Sequence, residues 1–325
     1  MTSSLSYDVL DLRHFSASAL RPLLDAEAAL WSQRLHWDYR ASSRLLLQYL
    51  DNRLLPGYAA VDNNQITGYS FCVYEETKAV IGDLFAVPSS AATAVSIETT
   101  LLTHQLETLL NSPHVERVES QMLIHPSGSF SEVFIQAGFS LFRRLFLVQT
   151  LRADTSAPHF TIPAGLEIRP WRDDDLTPAA RLIAIAYRGH ADSAINDQYR
   201  TLYGSQRFLN NIVRYAGCGV FSAAVSHVVV DRSRREIIAL ILGSRVSPQS
   251  GHITQLCVHP EYRRLGIARA LLSTAASHFV RLGAIEISLT VTEANTDAIE
   301  LYKSEGYECR HTFDATVWQR PHSAY

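Results

Sequence analysis

An apolar stretch, a basic turn and a second apolar stretch follow one another over residues 253–272. The first stretch, residues 253–258, predicts a strand, and the last predicts a helix. Between them lie Arg263, Arg264 and Gly266. A glycine lets the backbone approach a phosphate closely, and the start of a helix offers unpaired N–H groups and the positive end of the helix dipole. We therefore expect an α/β fold with a phosphate-binding turn.

The turn matches the signature Arg/Gln-x-x-Gly-x-Gly/Ala as Arg263-x-x-Gly266-x-Ala268. Residues 295–307 match a second signature, Asn-x-x-Ala-x-x-x-Tyr-x-x-x-Gly-aromatic, in which the tyrosine is Tyr302. The two motifs are separated by the length of one further helix and one strand. On these motifs, the chain resembles the GNAT superfamily of N-acyltransferases.

The resemblance implies acetyl-CoA, or another acyl-CoA, as the co-substrate. We expect no metal site. In this family the sheet splays apart beside the strand that is here residues 255–258, and the pantetheine arm inserts there like an added strand. The diphosphate would rest on backbone N–H groups of residues 264–269, and the arginines of the turn would add counter-charge. The cofactor-binding residues that the resemblance implies are Leu256, Cys257, Val258, Arg263, Arg264, Leu265, Gly266, Ile267, Ala268, Arg269 and Asn295.

Transfer of an acyl group to an amine requires one proton to leave the ammonium and another to reach the departing thiolate. The resemblance makes Tyr302 the expected acid, because many family members carry a tyrosine there near the thioester sulfur. His252 and Glu293 are the candidate bases, each at one end of a predicted strand. Water chains ending on backbone carbonyls are the alternative to both. A backbone N–H near Val258 is expected to polarise the carbonyl.

The acceptor amine is expected to bind at the polar run of residues 187–199, which joins two predicted helices. Asp192 or Asp197 would hold an ammonium, and Tyr199 would stack on the acceptor or bond to it. The alternative is that this run is only a solvated loop. The acceptor itself is predicted to be a small-molecule amine or a peptide amine.

The first half of the chain repeats the plan of the second. Residues 81–88 align with residues 253–260 without a gap, and residues 133–139 align with residues 301–307. We therefore predict the α/β class with two tandem GNAT-like domains, each with a mixed, mostly antiparallel central sheet flanked by helices. The predicted segments are a degenerate domain over 1–152, a linker over 153–165 and a catalytic domain over 166–325.

The first domain is predicted to have lost the site. Residues 91–94 carry alanines where the second half has its arginines and Gly266, and Phe134 stands at the position of Tyr302. We also expect the splay of the strands to be absent there. Two interpretations stay open, a domain that shapes the substrate cleft and a scaffold that only covers apolar surface.

Composition limits the partners and the compartment. The net charge of -3 leaves no electrostatic footprint for nucleic acid, which argues against a transferase that uses aminoacyl-tRNA. The four cysteines lie far apart without metal-ligand spacing, which indicates a reducing compartment. No long apolar run and no basic, apolar leader occur, so we expect a cytoplasmic protein without a membrane partner, as a monomer or homodimer.

The function predicted from the sequence is an acyl-CoA-dependent N-acyltransferase, most simply an N-acetyltransferase, in which the amine attacks the thioester directly. The layout is similar to that of the tandem-domain mycothiol synthases. The alternative is a noncatalytic module that binds acyl-CoA and has a regulatory role.

Overall fold

The structure is a computed structural model that describes residues 7–87, 91–152, 162–215 and 219–321. Its strands are β1 Asp8–Asp11, β2 Gly57–Asp62, β3 Gln65–Glu75, β4 Lys78–Ala86, β5 Arg117–Gln121, β6 Ser140–Thr150, β7 Leu166–Pro170, β8 Val220–Phe221, β9 His227–Asp231, β10 Glu236–Arg245, β11 Ser250–Val258, β12 Glu286–Thr292 and β13 Glu308–Gln319. Its helices are α1 Ala17–Leu35, α2 Arg40–Asp51, α3 Ala91–Asn111, α4 Ser131–Gln136, α5 Leu176–Ala186, α6 Asp192–Ile195, α7 Leu202–Arg214, α8 Ile267–Arg281 and α9 Thr296–Ser304. Within the described ranges, no helix combines the length and apolar character needed to cross a membrane.

The first compact unit takes its described residues from 1–35, 39–143 and 313–325. Its strands pair in the order β1, β2, β3, β4 and β5, followed by the final part of β13. The β4–β5 pair is parallel, and the others are antiparallel. One face of this sheet packs against α3, where Leu101, Leu102 and Leu109 are fully buried. These leucines recur at helical spacing, so burial of one helix face stabilises the unit.

The second compact unit contains residues 36–38 and the described part of 144–312. Its strands pair in the order β7, β9, β10, β11 and β12, followed by residues 144–150 of β6, and β8 pairs with β10. Here β11 and β12 form the parallel pair. Helix α8 packs its apolar face, including Leu271 and Phe279, against this sheet. The two units therefore have the same strand order, as expected for an internal duplication.

The compact units differ from the predicted segments 1–152 and 166–325 in their last strands. Residues 144–150 pair with β12 in the second unit, and residues 315–319 pair with β5 in the first. Strand pairing depends on which sheet edge is open, and chain order does not decide it. Most of the predicted linker, residues 153–161, lies outside the described residues.

Strand β12 is buried on both faces. Its alternation of apolar and polar residues indicates a half-buried strand with one face in solvent. Ile287 and Leu289 do lie in the core beside α8, but Ser288 and Thr292 on the other face are only 2% and 1% exposed. The expected solvent face is instead covered and hydrogen-bonded.

Candidate active site

Strands β11 and β12 diverge halfway along β11. They pair from Ser250 opposite Glu286 to Ile253 opposite Leu289, and the pairing stops there. The rest of β11, residues 254–258, has no neighbouring strand on this side among the described residues. The structure therefore contains the splay that the sequence motifs imply for this unit.

Two residues of β11 direct their backbone polar groups to this open edge. The His259 N–H donates to the Ile238 carbonyl, 2.8 Å away on the β10 side. Successive residues of a strand point their N–H and C=O groups to opposite edges, so Leu256 and Val258 face away from β10. In the described part of the chain, the Val258 N–H and the Leu256 C=O have no hydrogen-bond partner. They are the donor and acceptor that an added extended chain of amides requires.

The turn after β11 leaves the start of α8 uncovered. Arg264 and Gly266 both adopt left-handed backbone conformations, with φ of 64° and 76°. No side chain caps the helix, whose N-cap is Gly266, and a Cβ added there would meet nothing within 4 Å. Unpaired N–H groups at a helix start that faces open space form an anion site. The turn thus fits a bound diphosphate.

The arginines of the turn contribute less counter-charge than the sequence indicates. One Nη of Arg263 donates to the Ala186 carbonyl at 2.8 Å, and the Arg269 guanidinium is paired with Glu305 at 2.5 Å. Arg264 is exposed and makes no side-chain hydrogen bond or ion pair within the described ranges. The Arg269 charge is therefore neutralised by a carboxylate, whereas Arg263 keeps its charge but directs its guanidinium to carbonyl oxygens, and Arg264 has its whole side chain available for a phosphate.

The other predicted cofactor residues differ in their exposure. Leu265 is exposed, Ala268 is half-buried and Ile267 is buried in the core of the second unit. The Cys257 side chain is buried on the α5 face of the sheet, and burial raises the pKa of its thiol to about 12. Its thiol is therefore an inert packing group.

Asn295 is the N-cap of α9. Its side-chain oxygen accepts the Ala298 N–H at 3.3 Å, and its amide nitrogen lies 3.4 Å from Nε2 of His190. The side chain thus fixes the start of α9 beside the run of residues 187–199, and its predicted bond to the cofactor stays a prediction.

Tyr302 lies on α9 with only 8% of its surface exposed, and its ring packs against Tyr307 at 5.7 Å. Burial raises the pKa of its hydroxyl above the ordinary value, the charge of Asp192 adds to this rise, and Arg144 opposes it. The hydroxyl makes no hydrogen bond to any described residue. It therefore keeps its proton and is free to donate it, as an acid requires.

Asp192 lies close enough to Tyr302 for its charge to act on the Tyr302 hydroxyl. Its carboxylate accepts the Thr292 hydroxyl at 2.5 Å, and its backbone N–H donates to Nδ1 of His190 at 3.1 Å. A second distance, 3.8 Å, joins Nδ1 of His190 to the carboxylate. The carboxylate is thus held in one orientation, suited to binding an ammonium.

Asp192 is the last of three groups that follow one face of β12. His252 bonds to the Ser288 hydroxyl at 2.9 Å, Arg144 donates to the Thr290 hydroxyl at 3.2 Å, and Asp192 accepts from Thr292. Alternate residues of a strand share a face, so the three groups lie in a row. This row is the reason that the polar face of β12 is buried.

His252 is buried among aromatic side chains. The ring is 5% exposed and packs edge-to-face on Trp37 at 4.8 Å, with Phe146 parallel to it at 6.2 Å. Burial, aided by the positive charge of Arg144, lowers the pKa of His252 to about 3. The ring stays neutral and lies within a packed aromatic cluster, so we leave it out of the proposed machinery. Glu293, the other candidate base, is exposed just beyond the end of β12.

Two other residues are predicted to bind the acceptor. Tyr199 packs beside the residues of the site, and Asp197 is not included in it. The Tyr199 ring stacks on Tyr187 at 4.4 Å and meets Phe208 edge-to-face at 4.9 Å. Burial raises the pKa of its hydroxyl, which stays protonated. Asp197 is half-buried in the first turn of a short 3-10 helix, and we do not include it in the site.

Sequence reasoning gave no role to four residues of this site, namely Arg144, Tyr187, His190 and Gln255, although Tyr187 and His190 lie within the predicted acceptor run. Arg144 belongs to the first half of the chain, and no local pattern links it to β12. Gln255 carried a signal, because a single amide within the apolar run of residues 253–258 indicates a buried polar contact. Its side-chain oxygen accepts the Tyr187 hydroxyl at 2.8 Å.

The first unit retains the divergence of its parallel strands, contrary to our expectation. Strands β4 and β5 pair over residues 78–81 and 117–120 only. Side chains of the same unit hydrogen-bond to the backbone groups of β4 that this leaves unpaired. The Leu84 carbonyl lies 2.8 Å from Nε2 of His125, and the Ala86 N–H donates to Glu98 at 3.2 Å. Leu84 and Ala86 align with Leu256 and Val258, so side chains occupy the groups that are open in the second unit.

The first unit also lacks the glycine turn. Helix α3 begins at Ala91, whereas α8 begins at Ile267, which aligns with Val95. Alanine favours the helical conformation, so residues 91–94 form a first helical turn where the second unit has its left-handed Gly266. The loss of the cradle is thus a backbone change as well as a loss of charge.

The buried Glu98 carboxyl group at the β4 edge predicts that the stability of the fold depends on pH. Burial raises the pKa of Glu98 from an ordinary 4.5 to about 7, so the fold favours its protonated form. This preference adds to the free energy of unfolding in full below pH 4.5, and the added stability is lost as the pH rises through 7. The loss amounts to on the order of 3 kcal/mol. Glu98→Gln should remove most of this loss in urea unfolding between pH 5 and pH 8. Glu107→Gln, exposed on the same helix, should leave it unchanged. Equal slopes in all three proteins would contradict the prediction.

Comparison with known proteins finds similarity in the second half of the chain. Residues 194–307 match the model of the acetyltransferase (GNAT) family, which confirms the resemblance indicated by the two motifs. The mycothiol acetyltransferase of Geodermatophilus obscurus is 37% identical over 70 residues, which are 22% of this chain and 22% of that protein. That of Kocuria rhizophila is 36% identical over 69 residues, 21% of this chain and 23% of that protein. The match therefore spans about a fifth of the length of these curated relatives.

The fold is shared along nearly the whole chain. A GCN5-related N-acetyltransferase from Sphaerobacter thermophilus aligns with a TM-score of 0.64 and 17% identity, covering 98% of both chains. A tandem GNAT protein from the clavulanic acid biosynthesis pathway aligns with a TM-score of 0.60 and 12% identity, covering 98% of this chain and all of that one. These likenesses confirm the predicted α/β fold class with its mostly antiparallel sheet. They carry no information on the acceptor.

Proposed function

Because residues 194–307 match the GNAT acetyltransferase family model, we propose that this chain is an acyl-CoA-dependent N-acetyltransferase with one active site, in the second unit. The observation that carries the proposal is the open edge of β11 beside the uncapped start of α8, with Tyr302 and Asp192 in the same unit. An acetyl-CoA molecule has an extended amide chain, a diphosphate and a thioester. The open edge of β11 matches the amide chain, the start of α8 matches the diphosphate, and Tyr302 and Asp192 match the thioester and the amine that attacks it.

Backbone groups hold most of the acyl-CoA in this proposal. The Leu256 C=O and the Val258 N–H pair with amides of the pantetheine arm, and the N–H groups of residues 264–269 bind the diphosphate. Arg264 supplies the side-chain charge. When bound, the acyl-CoA supplies an acyl group activated as a thioester.

The acceptor is proposed to be a primary amine of a small molecule or a peptide, whose ammonium binds to Asp192. Its proton leaves through Glu293 or through water to solvent, and the freed lone pair attacks the thioester carbonyl carbon. A C–N bond forms, the C–S bond breaks, and the sulfur leaves with the bonding pair. Tyr302 gives its proton to that sulfur, and the nitrogen, positively charged after the attack, loses its second proton to solvent. Tyr302 regains a proton from solvent, so the products are a neutral amide, free CoA and one released proton.

The first unit is proposed to bind no acyl-CoA. Glu98 and His125 fill its open strand edge, and its helix α3 begins where a phosphate turn would lie. We therefore expect a stoichiometry of one acetyl-CoA per chain.

Calorimetry followed by detection of free thiol in the same sample tests the proposal. Acetyl-CoA should bind once per chain, and a panel of primary amines should include some that release CoA thiol. Binding without release from any amine would instead support a regulatory module that binds acyl-CoA. No binding would overturn the proposal, and two molecules per chain would contradict the filled first unit.

A further inference from the structure

A carbonyl oxygen already lies between two hydrogen-bond donors at the open edge of β11. It is Oε1 of Gln255, which accepts the backbone N–H of Leu256 at 3.0 Å and the hydroxyl of Tyr187 at 2.8 Å. Gln255 is 5% exposed, so this contact is shielded from water. Two fixed donors on one carbonyl oxygen are the arrangement that stabilises negative charge in acyl transfer.

The other end of the same amide is poorly satisfied. Nε2 of Gln255 is buried and makes no hydrogen bond of good geometry to a described residue, although the Tyr199 hydroxyl lies near enough to interact with the amide. A poorly satisfied buried donor is unfavourable, so the two hydrogen bonds of the oxygen contribute most to holding this side chain in place. A ligand carbonyl that took over the two donors would free Gln255 to satisfy its nitrogen elsewhere.

The first unit repeats the two donors around a different residue. Asp83 aligns with Gln255; its Oδ1 accepts the Leu84 N–H at 3.0 Å, and its Oδ2 accepts the Tyr39 hydroxyl at 2.9 Å. The fold thus places a strand N–H and a tyrosine hydroxyl at this point in both units. A carboxyl group occupies them in the first unit, whereas a neutral, displaceable amide occupies them in the second.

The packing around Tyr187 keeps its hydroxyl fixed. The ring stacks on Tyr199 at 4.4 Å and meets His190 edge-to-face at 5.3 Å. Burial raises the pKa of Tyr187 well above its ordinary value, so the hydroxyl stays protonated and can donate at neutral pH. Donors that need no reorganisation are the ones that contribute most to catalysis.

A strand N–H is already expected to polarise the acyl carbonyl; we propose that the Tyr187 hydroxyl is a second donor to the same oxygen, and that the Gln255 carboxamide occupies both donors until the acyl carbonyl displaces it. The inference rests on the proposed function, because it requires an acyl-CoA at this edge. As the C–N bond forms, the carbonyl electron pair moves onto the oxygen that both donors contact, and it returns when the C–S bond breaks. The Tyr187 proton stays on Tyr187.

Two variants test the two parts of the inference. Gln255→Ala removes the internal competitor, so the Kd for acetyl-CoA should fall about threefold to tenfold, while the Kd for CoA, which lacks the acyl carbonyl, stays within about twofold. Tyr187→Phe removes one donor and should lower kcat for acetyl transfer about 100-fold with little change in the Kd for CoA. Tyr203→Phe, 65% exposed on α7, is the matched control and should change neither.

Failure of this inference can be distinguished from failure of the proposed function by comparing the Kd for acetyl-CoA with the Kd for CoA. If the wild-type chain binds no acetyl-CoA, both are overturned. If it binds and transfers, but Tyr187→Phe retains kcat within twofold, the oxyanion role of Tyr187 is wrong. If Gln255→Ala changes the affinities for acetyl-CoA and CoA by the same factor, Gln255 does not occupy the acyl position. Since calorimetry needs no acceptor, the Gln255→Ala arm is decisive even before the amine is known.

Discussion

Gly266→Val is expected to weaken acetyl-CoA binding by on the order of 100-fold, or about 3 kcal/mol, while the chain remains folded. Gly266 has φ of 76° and is the N-cap of α8. A β-branched residue disfavours this left-handed conformation, so the turn should shift and the N–H groups should lose their common direction. The new side chain would also project into open space at the proposed diphosphate site. Calorimetry with acetyl-CoA measures the loss.

Gly283→Val is the matched control at the other end of the same helix. Gly283 has φ of 83°, and a Cβ there would also meet nothing within 4 Å. The two variants should therefore lower the thermal unfolding temperature by similar amounts, because both place valine in a left-handed conformation. Only Gly266→Val should lose affinity. Equal affinities in the two variants would refute the phosphate cradle.

Tyr302→Phe should lower kcat by on the order of 100-fold and leave the Kd for acetyl-CoA unchanged, because only the proton donor is removed. The raised pKa of Tyr302 has a further consequence for the wild-type protein. The phenol stays protonated beyond its ordinary pKa of about 10, so kcat should show no alkaline decline from this group between pH 7 and about pH 10. Thiol release across this range, with a saturating amine, measures both effects.

Tyr307→Phe is the control for that experiment. Its ring packs on Tyr302 at 5.7 Å, and its buried hydroxyl has no hydrogen-bond partner within the described ranges. Removing this hydroxyl should leave kcat unchanged and stabilise the fold by about 1 kcal/mol. A rate loss in Tyr307→Phe as large as that in Tyr302→Phe would assign the effect to packing and withdraw the acid role of Tyr302.

The parts of the site that could be predicted are those made by consecutive residues. The turn around Gly266 and the start of α8 are set by local backbone preferences, and the motif at residues 295–307 forms one helix with its cap. The interpretation of β12 as half-buried was wrong because periodicity reports which side chains are polar, and it cannot report what covers them. The expected absence of a splay in the first unit was wrong for a related reason, since no residue of β4 signals where β5 leaves it.

The α/β class, the internal repeat and the glycine turn before α8 could be inferred from residues 1–325 without coordinates, because each follows from backbone preferences over short stretches. Which groups meet along β12 could not, since Arg144 and Asp192 hydrogen-bond to threonines about 100 or more residues away. The same holds for Glu98 and His125, which fill the open edge of the first unit while that of the second stays available. Strand pairing and burial join distant segments at once, and no local pattern encodes which partners they select.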